Sequence, residues 1–145
     1  DVYSNLAAKT AADTEEISVE SKVTWFAEHS TTCRPLWVIE KDGKICGWLS
    51  FQSFYGRPAY NSTAEISIYL HEDYRGNGLG KVLLQKAIEA CPELHIKNVL
   101  GFIFAHNTAS LQLFKRFGFE KWAHLPKVAE LDGTERDLII LGKRI

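Results

Sequence analysis

Hydrophobic and polar residues alternate along this chain with two different periods, and each change of period marks the border of an element. Strict alternation predicts a strand with one buried face, whereas a period near 3.6 residues predicts an amphipathic helix. Residues 63–70 follow the first pattern, with Glu65, Ser67 and Tyr69 on a polar face. The opposite, apolar face consists of Ala64, Ile66, Ile68 and Leu70. This segment therefore predicts a strand that buries one face.

Three segments carry the helical period. Residues 18–29 begin at a serine, a favourable N-cap, and residues 79–91 end at Pro92, which cannot continue a helix. A third helix is predicted between Asn107 and Gly118, where a glycine can end the helix with a positive φ angle. The side chains predicted to face the core are Leu79, Val82, Leu83, Ala87 and Ala90 in the second helix and Leu111, Phe114 and Phe117 in the third.

Further apolar runs predict strands on either side of these helices. Residues 36–40 and 44–55 flank an Asp42-Gly43 pair, which favours a two-residue hairpin turn. Residues 99–104 form a short apolar run typical of a buried strand, and two more strands are predicted around Asp132-Gly133. The order of elements is antiparallel at the start and strand-helix-strand-helix in the middle, which indicates a mixed α/β fold of the α+β type.

The composition limits the class of protein. The chain has 145 residues, 46% of them hydrophobic, which is enough for one core and predicts a single domain over residues 1–145. Its 17 basic and 18 acidic residues give a net charge of −1 and form no long basic run, so we expect no nucleic-acid partner. No apolar stretch approaches the roughly 20 residues of a membrane-spanning helix, and no signal-like segment opens the chain. We therefore expect a cytoplasmic protein without a membrane contact.

The spacing of cysteine and histidine argues against a metal site. Cys33, Cys46 and Cys91 are odd in number and far apart, a pattern typical of reduced thiols rather than of a disulfide framework or a zinc clip. The five histidines also lack the close spacing of ligands on one helix. We therefore expect no metal ion.

Three glycines follow the strand over residues 63–70 and open the next helix. A glycine-rich turn there leaves backbone N–H groups accessible at the end of the helix where the macrodipole favours an anion. The spacing of the glycines does not match the G-x-G-x-x-G dinucleotide sequence, and the following strand lacks the acidic residue expected with it. A nucleoside-triphosphate loop requires Ser or Thr after its lysine, but Val82 follows Lys81. An anion site of another kind is therefore expected.

The sequence Arg75-Gly76-Asn77-Gly78-Leu79-Gly80 fits a third pattern, R-x-x-G-x-G, in which glycine amides and an arginine hold the pyrophosphate of coenzyme A. With Asn107-x-x-Ser110 and Phe117-Gly118-Phe119 farther along, nearly the whole chain resembles the GNAT superfamily of N-acetyltransferases. Within it, the chain is similar to the phosphinothricin N-acetyltransferase subfamily. The segments that carry this narrower likeness are Trp25-Phe26, the Asp42-Gly43 hairpin, Gly56-Arg57-Pro58-Ala59-Tyr60, Thr63-Ala64-Glu65 and Ser67-Ile68-Tyr69.

The resemblance implies a fold and an activity. The fold is a mixed, mostly antiparallel sheet, splayed where acetyl-CoA lies and flanked by helices, with its first strand before Asp1. The activity is transfer of an acetyl group from acetyl-CoA to the α-amino group of phosphinothricin or a related amino acid, such as methionine sulfoximine or methionine sulfone. The transfer is direct, within a ternary complex. The resemblance also implies a homodimer.

The resemblance and the chemistry of acyl transfer together assign roles to single residues. Glu65, on the polar face of its strand, is the expected general base, acting directly or through water, and partial burial is expected to raise the pKa of its carboxyl towards the working pH. Arg57 would bind the substrate carboxylate by a bidentate pair, and Tyr60 would line the same pocket. The expected acetyl-CoA contacts are Ile68, Tyr69 and Leu70 for the pantetheine, Arg75, Gly76, Asn77, Gly78, Leu79, Gly80 and Lys81 for the pyrophosphate, and Asn107 and Ser110 farther along.

Alternative interpretations stay open at the level of the sequence. They are glycines that only permit a tight turn from strand to helix, a salt-bridged Glu65, an ordinary surface Arg57 and an Asn107 that only caps its helix. Phe114 stands where many members of the superfamily carry a tyrosine that protonates the leaving thiolate, and phenylalanine has no acidic proton, so solvent or another residue must serve. The competing functions are acetylation of another amine, such as a polyamine or a protein N-terminus, and a non-catalytic acetyl-CoA-binding module.

Overall fold

A six-stranded mixed sheet frames the described part of the chain, which is residues 33–145 of a computed structural model. The helix predicted over residues 18–29 and the Trp25-Phe26 pair lie outside the described residues. The strands are β1 Leu36–Lys41, β2 Lys44–Ser53, β3 Thr63–Leu70, β4 Asn98–Phe104, β5 Glu120–Leu131 and β6 Thr134–Arg144, and the helices are α1 Leu79–Ala90 and α2 Thr108–Arg116. The strand order in the sheet is β1-β2-β3-β4-β6-β5, and the predicted mixed fold class is confirmed.

Two Asp-Gly turns close the outer hairpins of the sheet. Asp42 and Gly43 have φ angles of 54° and 75°, and Asp132 and Gly133 have φ angles of 51° and 76°. Positive φ at both central residues is the requirement of a type I′ turn, whose twist matches that of the flanking strands. The prediction of antiparallel hairpins at both positions is therefore confirmed.

The pairing of β3 with β4, which is parallel, is short. Its register ends after three residues, at Glu65 paired with Leu100, although β3 runs on to Leu70 and β4 to Phe104. α1 connects the two strands, as a crossover between parallel strands requires. Beyond Glu65 the strands separate, so the sheet is open between them, as the predicted splayed fold requires.

α1 covers the sheet with a narrower apolar stripe than the sequence indicates. Leu83, Leu84 and Ala87 are buried in the core formed with β2 and β3, and the prediction for Leu83 and Ala87 is confirmed. Val82, predicted to face the core, is 57% exposed, and that prediction is wrong. Because successive helical residues are about 100° apart around the axis, a stripe that contains Leu83, Leu84 and Ala87 turns Val82 towards solvent.

α2 packs against β4 at a glycine. A Cβ atom on Gly101 would lie 2.7 Å from Cε2 of Phe114, so the glycine makes room for this ring. Phe114 is buried, and its ring meets Phe119 edge-on with the ring centroids 4.9 Å apart. These contacts hold α2 close to β4 immediately beyond Leu100, the residue where β4 leaves β3.

Gly101→Ala is expected to lower the free energy of unfolding by about 1–3 kcal/mol, because the added methyl group overpacks the contact with Phe114. Urea denaturation followed by circular dichroism measures this change. The matched test is the double variant Gly101→Ala/Phe114→Leu. Since leucine is smaller than phenylalanine, the two changes together should cost less than the sum of the single changes. Strictly additive costs would contradict the packing argument.

Candidate active site

A cleft opens in the sheet where β3 and β4 separate. Its volume is about 950 Å³, and β2, β3, β4, α2 and the β5–β6 hairpin all contribute to its lining. Eight of the predicted site residues line this cleft, namely Glu65, Ile68, Tyr69, Leu70, Arg75, Gly76, Asn107 and Ser110. The predicted base therefore lies in the same cleft as much of the predicted cofactor site.

The side chains of β2 and β3 that face the cleft form three cross-strand pairs. They are Trp48 with Tyr69, Ser50 with Ser67, and Gln52 with Glu65. The first pair is aromatic and stacked, with ring centroids 5.9 Å apart, and the other two pairs are polar. The polar face predicted for β3 thus continues across β2.

Glu65 occupies the point where the sheet divides. It is the last residue of β3 that pairs with β4, and its side chain is only partly exposed. No ion pair joins its carboxylate to any residue in 33–145, so the salt-bridged alternative finds no support there. Burial raises the pKa of the Glu65 carboxyl, as the sequence predicts. A carboxyl shifted in this direction is better suited to accept a proton near neutral pH.

The glycine turn leads from β3 into α1. A 3₁₀ turn over Glu72–Tyr74 is capped by His71, whose Nδ1 accepts a hydrogen bond from the N–H of Asp73 at 3.1 Å. Gly76 and Gly78 then have φ angles of 81° and 77°, a conformation that residues with a side chain rarely adopt. The two glycines therefore allow the chain to reverse within a few residues.

The first turn of α1 presents free backbone donors. Gly78 is its N-cap, no side chain caps the helix, and the first turn contains no acidic residue. The N–H groups of residues 79–81 lack an intrahelical partner, whereas the N–H of Val82 donates to the carbonyl of Gly78. Together with the positive end of the helix dipole, these free N–H groups favour an anion.

Arg75 joins the glycine turn to the cleft. Its Nε donates a hydrogen bond to the carbonyl of Leu70 at 3.2 Å, and both Arg75 and Gly76 line the cleft. The other predicted pyrophosphate residues follow on the turn, outside the cleft lining, and they are Asn77, Gly78, Leu79, Gly80 and Lys81. The predicted anion site is thus continuous with the cleft through the end of β3.

Asn107 and Ser110 lie at the start of α2. The side chain of Asn107 accepts a hydrogen bond from the N–H of Ser110 at 3.2 Å, so the capping role considered for it from the sequence is present. Both residues also line the cleft, and the cap does not exclude a contact with a cofactor. Phe114, farther along α2, lines the cleft as well, and its ring has no proton to donate.

Arg57 and Tyr60, the predicted substrate residues, do not line the cleft. They lie on the connection between β2 and β3, where a 3₁₀ turn runs over Pro58–Tyr60 and both side chains are exposed. The Tyr60 ring packs against Phe54 and Tyr55, with ring centroids 5.6 Å and 5.9 Å away. The structure therefore leaves these two residues outside the cleft that holds the predicted base.

The sequence predictions missed the contribution of β2 to the cleft. Trp48, Ser50 and Gln52 face it, and they alternate with Leu49 and Phe51, which are fully buried in the core. This alternation is visible in the sequence and is a signal that identifies the three residues.

The β5–β6 hairpin also contributes to the cleft. Its lining residues are Val128, Ala129, Glu130, Leu131 and Leu138. The register of β5 with β6 shifts between Leu125 and Ala129, where Lys127 has a φ angle of 52°. Because such an irregularity depends on the paired strand, no local pattern in the sequence predicts this contribution.

Three further observations concern the described residues. No group of three or more His, Cys, Asp or Glu side chains in residues 33–145 is arranged to bind a metal ion. None of the helices in that part of the chain is both long and apolar enough to cross a membrane. Cys33, Cys46 and Cys91 are free thiols, as the sequence predicts.

Known proteins show both the same fold and a close sequence likeness. The profile of the acetyltransferase (GNAT) family matches residues 4–119. YwnH of Bacillus subtilis, provisionally named a phosphinothricin acetyltransferase, is 47% identical over 147 residues, which cover 99% of this chain and 90% of its own. The L-methionine sulfoximine/L-methionine sulfone acetyltransferase of Salmonella typhimurium is 26% identical over 143 residues, which cover 97% of this chain and 84% of its own. A crystal structure provisionally described as a phosphinothricin N-acetyltransferase matches with a TM-score of 0.90 and 47% identity, over 97% of this chain and 86% of that one.

Glu65→Gln is expected to be more stable than the parent chain near neutral pH, with an advantage that disappears in acid. A raised pKa means that the folded state binds the proton more tightly than the unfolded state. The free energy of unfolding of the parent therefore falls as the pH rises from the ordinary value of 4.5 through the raised pKa. Because glutamine does not titrate, the free energy of unfolding of Glu65→Gln lacks this decrease. Thermal unfolding as a function of pH, followed by circular dichroism, measures the difference.

Glu120→Gln is the control for this comparison. Glu120 lies at an exposed position of β5, so the change removes a carboxylate that is hydrated in the folded state as well as in the unfolded state. If Glu65→Gln and Glu120→Gln changed stability in the same way at every pH, burial of the Glu65 carboxylate would not be the cause.

Proposed function

The chain belongs to the GNAT family of acetyltransferases, and we propose that it transfers an acetyl group from acetyl-CoA to the α-amino group of a small amino acid or amino-acid analogue. The substrate class is taken from the names of the relatives, which specify phosphinothricin and the sulfoximine and sulfone of methionine. The transfer is direct, within a ternary complex of the enzyme, acetyl-CoA and the amine.

The observation that carries this proposal is the position of Glu65 where β3 and β4 separate. A partly buried carboxyl with a raised pKa stands at one end of the open stretch of β3, and the glycine turn follows the other end. The strand spans about 17 Å between Glu65 and Leu70. This separation suits a cofactor whose thioester and pyrophosphate lie at opposite ends of a long arm.

The open edge of β3 is the proposed binding surface for the pantetheine arm. From Ile66 to Leu70, β3 has no strand partner on its β4 side among the described residues. The backbone N–H and C=O groups on that edge are therefore available to the amides of pantetheine. The pyrophosphate is assigned to Arg75 and to the N–H groups of residues 76–81, and α2 supplies Asn107 and Ser110.

Glu65 is the proposed general base. A substrate α-ammonium has a pKa of about 8 and must lose one proton before its nitrogen can attack. The proton passes to the Glu65 carboxylate, the nitrogen forms a bond to the thioester carbonyl carbon, and the carbonyl oxygen becomes an oxyanion. A backbone N–H near Ile68 stabilises that oxyanion. When the carbon–sulfur bond breaks, coenzyme A leaves as a thiolate.

The thiolate takes its proton from solvent in this proposal. Phe114 lines the cleft in place of the tyrosine that the superfamily resemblance leads one to expect, and it has no acidic proton. A free thiol has a pKa of about 8.5, so a thiolate can leave without a dedicated acid beside it.

The proposal assigns the substrate carboxylate to Arg57 and Tyr60. Both side chains are exposed on the β2–β3 connection, so a bidentate pair with Arg57 requires the substrate to extend beyond the cleft lining. The proposal also includes a homodimer, inferred from the family resemblance, and a cytoplasmic location. Three free cysteines support a reducing compartment.

Release of free thiol from acetyl-CoA, measured with a panel of amines, tests the proposal. The panel contains phosphinothricin, methionine sulfoximine, methionine sulfone, spermidine and a short peptide with a free N-terminus. We expect turnover with the amino-acid analogues and little with the polyamine or the peptide. Turnover confined to spermidine or the peptide would overturn the substrate assignment. Binding of acetyl-CoA without turnover on any amine would overturn the catalytic assignment.

Two variants separate the roles within that assay. Glu65→Gln is expected to lower kcat by about 10²–10⁴-fold, the usual contribution of a general base, while the Kd for acetyl-CoA stays unchanged. Arg57→Ala is expected to raise the KM for the amino acid, and Arg57→Lys should restore it only in part because lysine cannot form the bidentate pair. An unchanged kcat in Glu65→Gln or an unchanged KM in Arg57→Ala would refute the corresponding role.

Gly78→Ala is expected to weaken acetyl-CoA binding by about tenfold or more. A Cβ atom opposes the φ angle of 77° at the N-cap of α1 by about 1–2 kcal/mol, and relief of that strain moves the neighbouring N–H groups. Isothermal titration calorimetry with acetyl-CoA measures the affinity.

Gly43→Ala is the matched control for this variant. Gly43 has a φ angle of 75°, and a Cβ added at either glycine would have no atom within 4 Å, so both changes impose backbone strain without a steric clash. Because Gly43 lies in the β1–β2 turn, Gly43→Ala should lose stability but keep its affinity for acetyl-CoA. Equal affinities of the two variants would contradict the assigned pyrophosphate site.

A further inference from the structure

Asn77, in the glycine turn between β3 and α1, is the only asparagine of the chain that precedes a glycine. Asparagine is a chemically labile residue, because the backbone nitrogen that follows it can attack its side-chain amide. Glycine hinders this attack least, since it has no Cβ atom and adopts backbone angles that other residues avoid. The remaining asparagines precede bulkier residues, and they are Asn5 before leucine, Asn61 before serine, Asn98 before valine and Asn107 before threonine.

The structure leaves Asn77 and Gly78 unrestrained. Both residues are exposed, and within residues 33–145 neither the Asn77 amide nor the Gly78 N–H makes a hydrogen bond. A Cβ atom added at Gly76 or at Gly78 would have no atom within 4 Å, so the space beside Asn77 is open. The Asn77 side chain therefore has room to fold back onto the Gly78 nitrogen.

Asn98 and Asn107, in contrast, are held by hydrogen bonds. Nδ2 of Asn98 donates to Oγ1 of Thr63 at 3.3 Å, and Oδ1 of Asn107 accepts from the N–H of Ser110 at 3.2 Å. A side chain fixed in this way must break its hydrogen bond before it reaches the nitrogen of the next residue. These two asparagines are therefore internal references for a reaction at Asn77.

We propose that Asn77 is a deamidation site, where the side-chain amide becomes a carboxylate within the assigned pyrophosphate site. The Gly78 nitrogen bonds to Cγ of Asn77 while the Cγ–Nδ2 bond breaks, and the proton of the Gly78 N–H passes to the departing nitrogen, which leaves as ammonia. Water from the solvent then adds to one of the two carbonyl carbons of the resulting cyclic imide and breaks the bond of that carbon to the Gly78 nitrogen. One amide and one water thus become one carboxylate and one ammonium ion, and nothing is oxidised or reduced.

Both hydrolysis products change the site that holds the pyrophosphate. Cleavage at Cγ leaves an aspartate, whose charge lies beside the N–H groups of residues 76–81, where the first turn of α1 has no acidic residue. Like charge repels the pyrophosphate. Cleavage at the backbone carbonyl carbon directs the chain through the side chain, and the extra methylene also shifts those N–H groups. The loss of affinity for acetyl-CoA rests on the proposed function, in which this turn holds the pyrophosphate.

Bound coenzyme A is expected to protect Asn77. In the proposed site the pyrophosphate accepts hydrogen bonds from the N–H groups of the turn, including that of Gly78. A nitrogen engaged in this way is a poorer nucleophile, because its proton is held by the ligand. Deamidation is therefore expected chiefly in protein without cofactor, and each modified molecule binds the cofactor less well afterwards.

Peptide mass spectrometry after prolonged incubation at mildly alkaline pH tests the modification. Trypsin cleaves after Arg75 and after Lys81, and the peptide 76–81 contains Asn77 but no other asparagine or aspartate. We expect its mass to show conversion of the amide to an acid, faster than in the peptides with other asparagines and more slowly with saturating coenzyme A. Reaction at Asn77 no faster than at the other asparagines overturns the inference. Fast reaction that coenzyme A fails to slow supports the modification and contradicts the assigned pyrophosphate site.

Asn77→Asp reproduces the direct product of the reaction. It is expected to raise the Kd for acetyl-CoA by about tenfold at low salt, because two like charges a few ångströms apart repel each other. The difference from the parent should shrink at about 1 M salt, where the Debye length is about 3 Å. Asn61→Asp adds the same charge at an exposed position outside the cleft lining, and this control should bind as the parent does. Equal affinities of the two variants, measured by isothermal titration calorimetry, would refute the effect on binding.

Asn77→Gln separates deamidation from other damage during the incubation. The extra methylene of glutamine slows closure of the ring, so Asn77→Gln should keep its own starting affinity while the affinity of the parent declines. Equal declines in both would assign the loss to another process and overturn the inference. A parent chain that binds no acetyl-CoA at the outset would instead refute the proposed function, and the mass of peptide 76–81 still decides whether Asn77 reacts.

Discussion

The separation of β3 from β4 after three paired residues is the constraint on which the candidate site depends. Two parallel strands that stayed paired would satisfy each other's backbone groups and leave no cleft. Because they separate at Glu65, one edge of β3 keeps available N–H and C=O groups, and the gap is lined by α2 and by the β5–β6 hairpin. Gly101 receives the Phe114 ring directly beyond the division, which holds α2 against β4 on one side of the gap. The open edge of β3 and the cleft beside Glu65 are consequences of the same divergence.

That cleft contains polar groups whose burial opposes folding. Glu65 has no ion pair and Ser50 no hydrogen bond within residues 33–145, and each such group costs stability when it loses water. The opposite face of the same strands supplies the compensating burial, where Leu49, Phe51 and Ile66 pack in the core under α1. In a sheet with one apolar face and one polar, partly buried face, the apolar burial that stabilises the fold and the polar groups of the cleft lie on opposite sides. The first face supplies the core, and the second lines the candidate site.

Local patterns predicted the fold of the described residues more fully than the site. Asp42-Gly43 and Asp132-Gly133 determine their turns through backbone conformation alone, and alternation along residues 63–70 determines which face of β3 is polar. Val82 was placed wrongly because α1 has more apolar residues than one stripe holds, and only packing against the sheet selects among them. The alternation of Ser50 with Leu49 and Phe51 is visible in the sequence, but its burial and its lack of a partner within residues 33–145 are properties of the assembled sheet. Sequence spacing could not place the β2–β3 connection relative to the cleft for the same reason.

Phe114 shows how packing and chemistry are joined in this cleft. Its ring occupies the space beside Gly101 and meets Phe119 edge-on, so the residue at the expected tyrosine position is part of the contact that holds α2 to β4. A ring held in this way shapes the cleft but cannot deliver a proton to a departing sulfur. Glu65 pairs with Leu100, next to the glycine that receives this ring, and burial raises the pKa of its carboxyl, which suits it to the proposed removal of a proton from nitrogen. The proposed reaction is therefore asymmetric. The step that needs a base has a candidate group in the described residues, whereas protonation of the thiolate, which leaves readily by itself, is assigned to water.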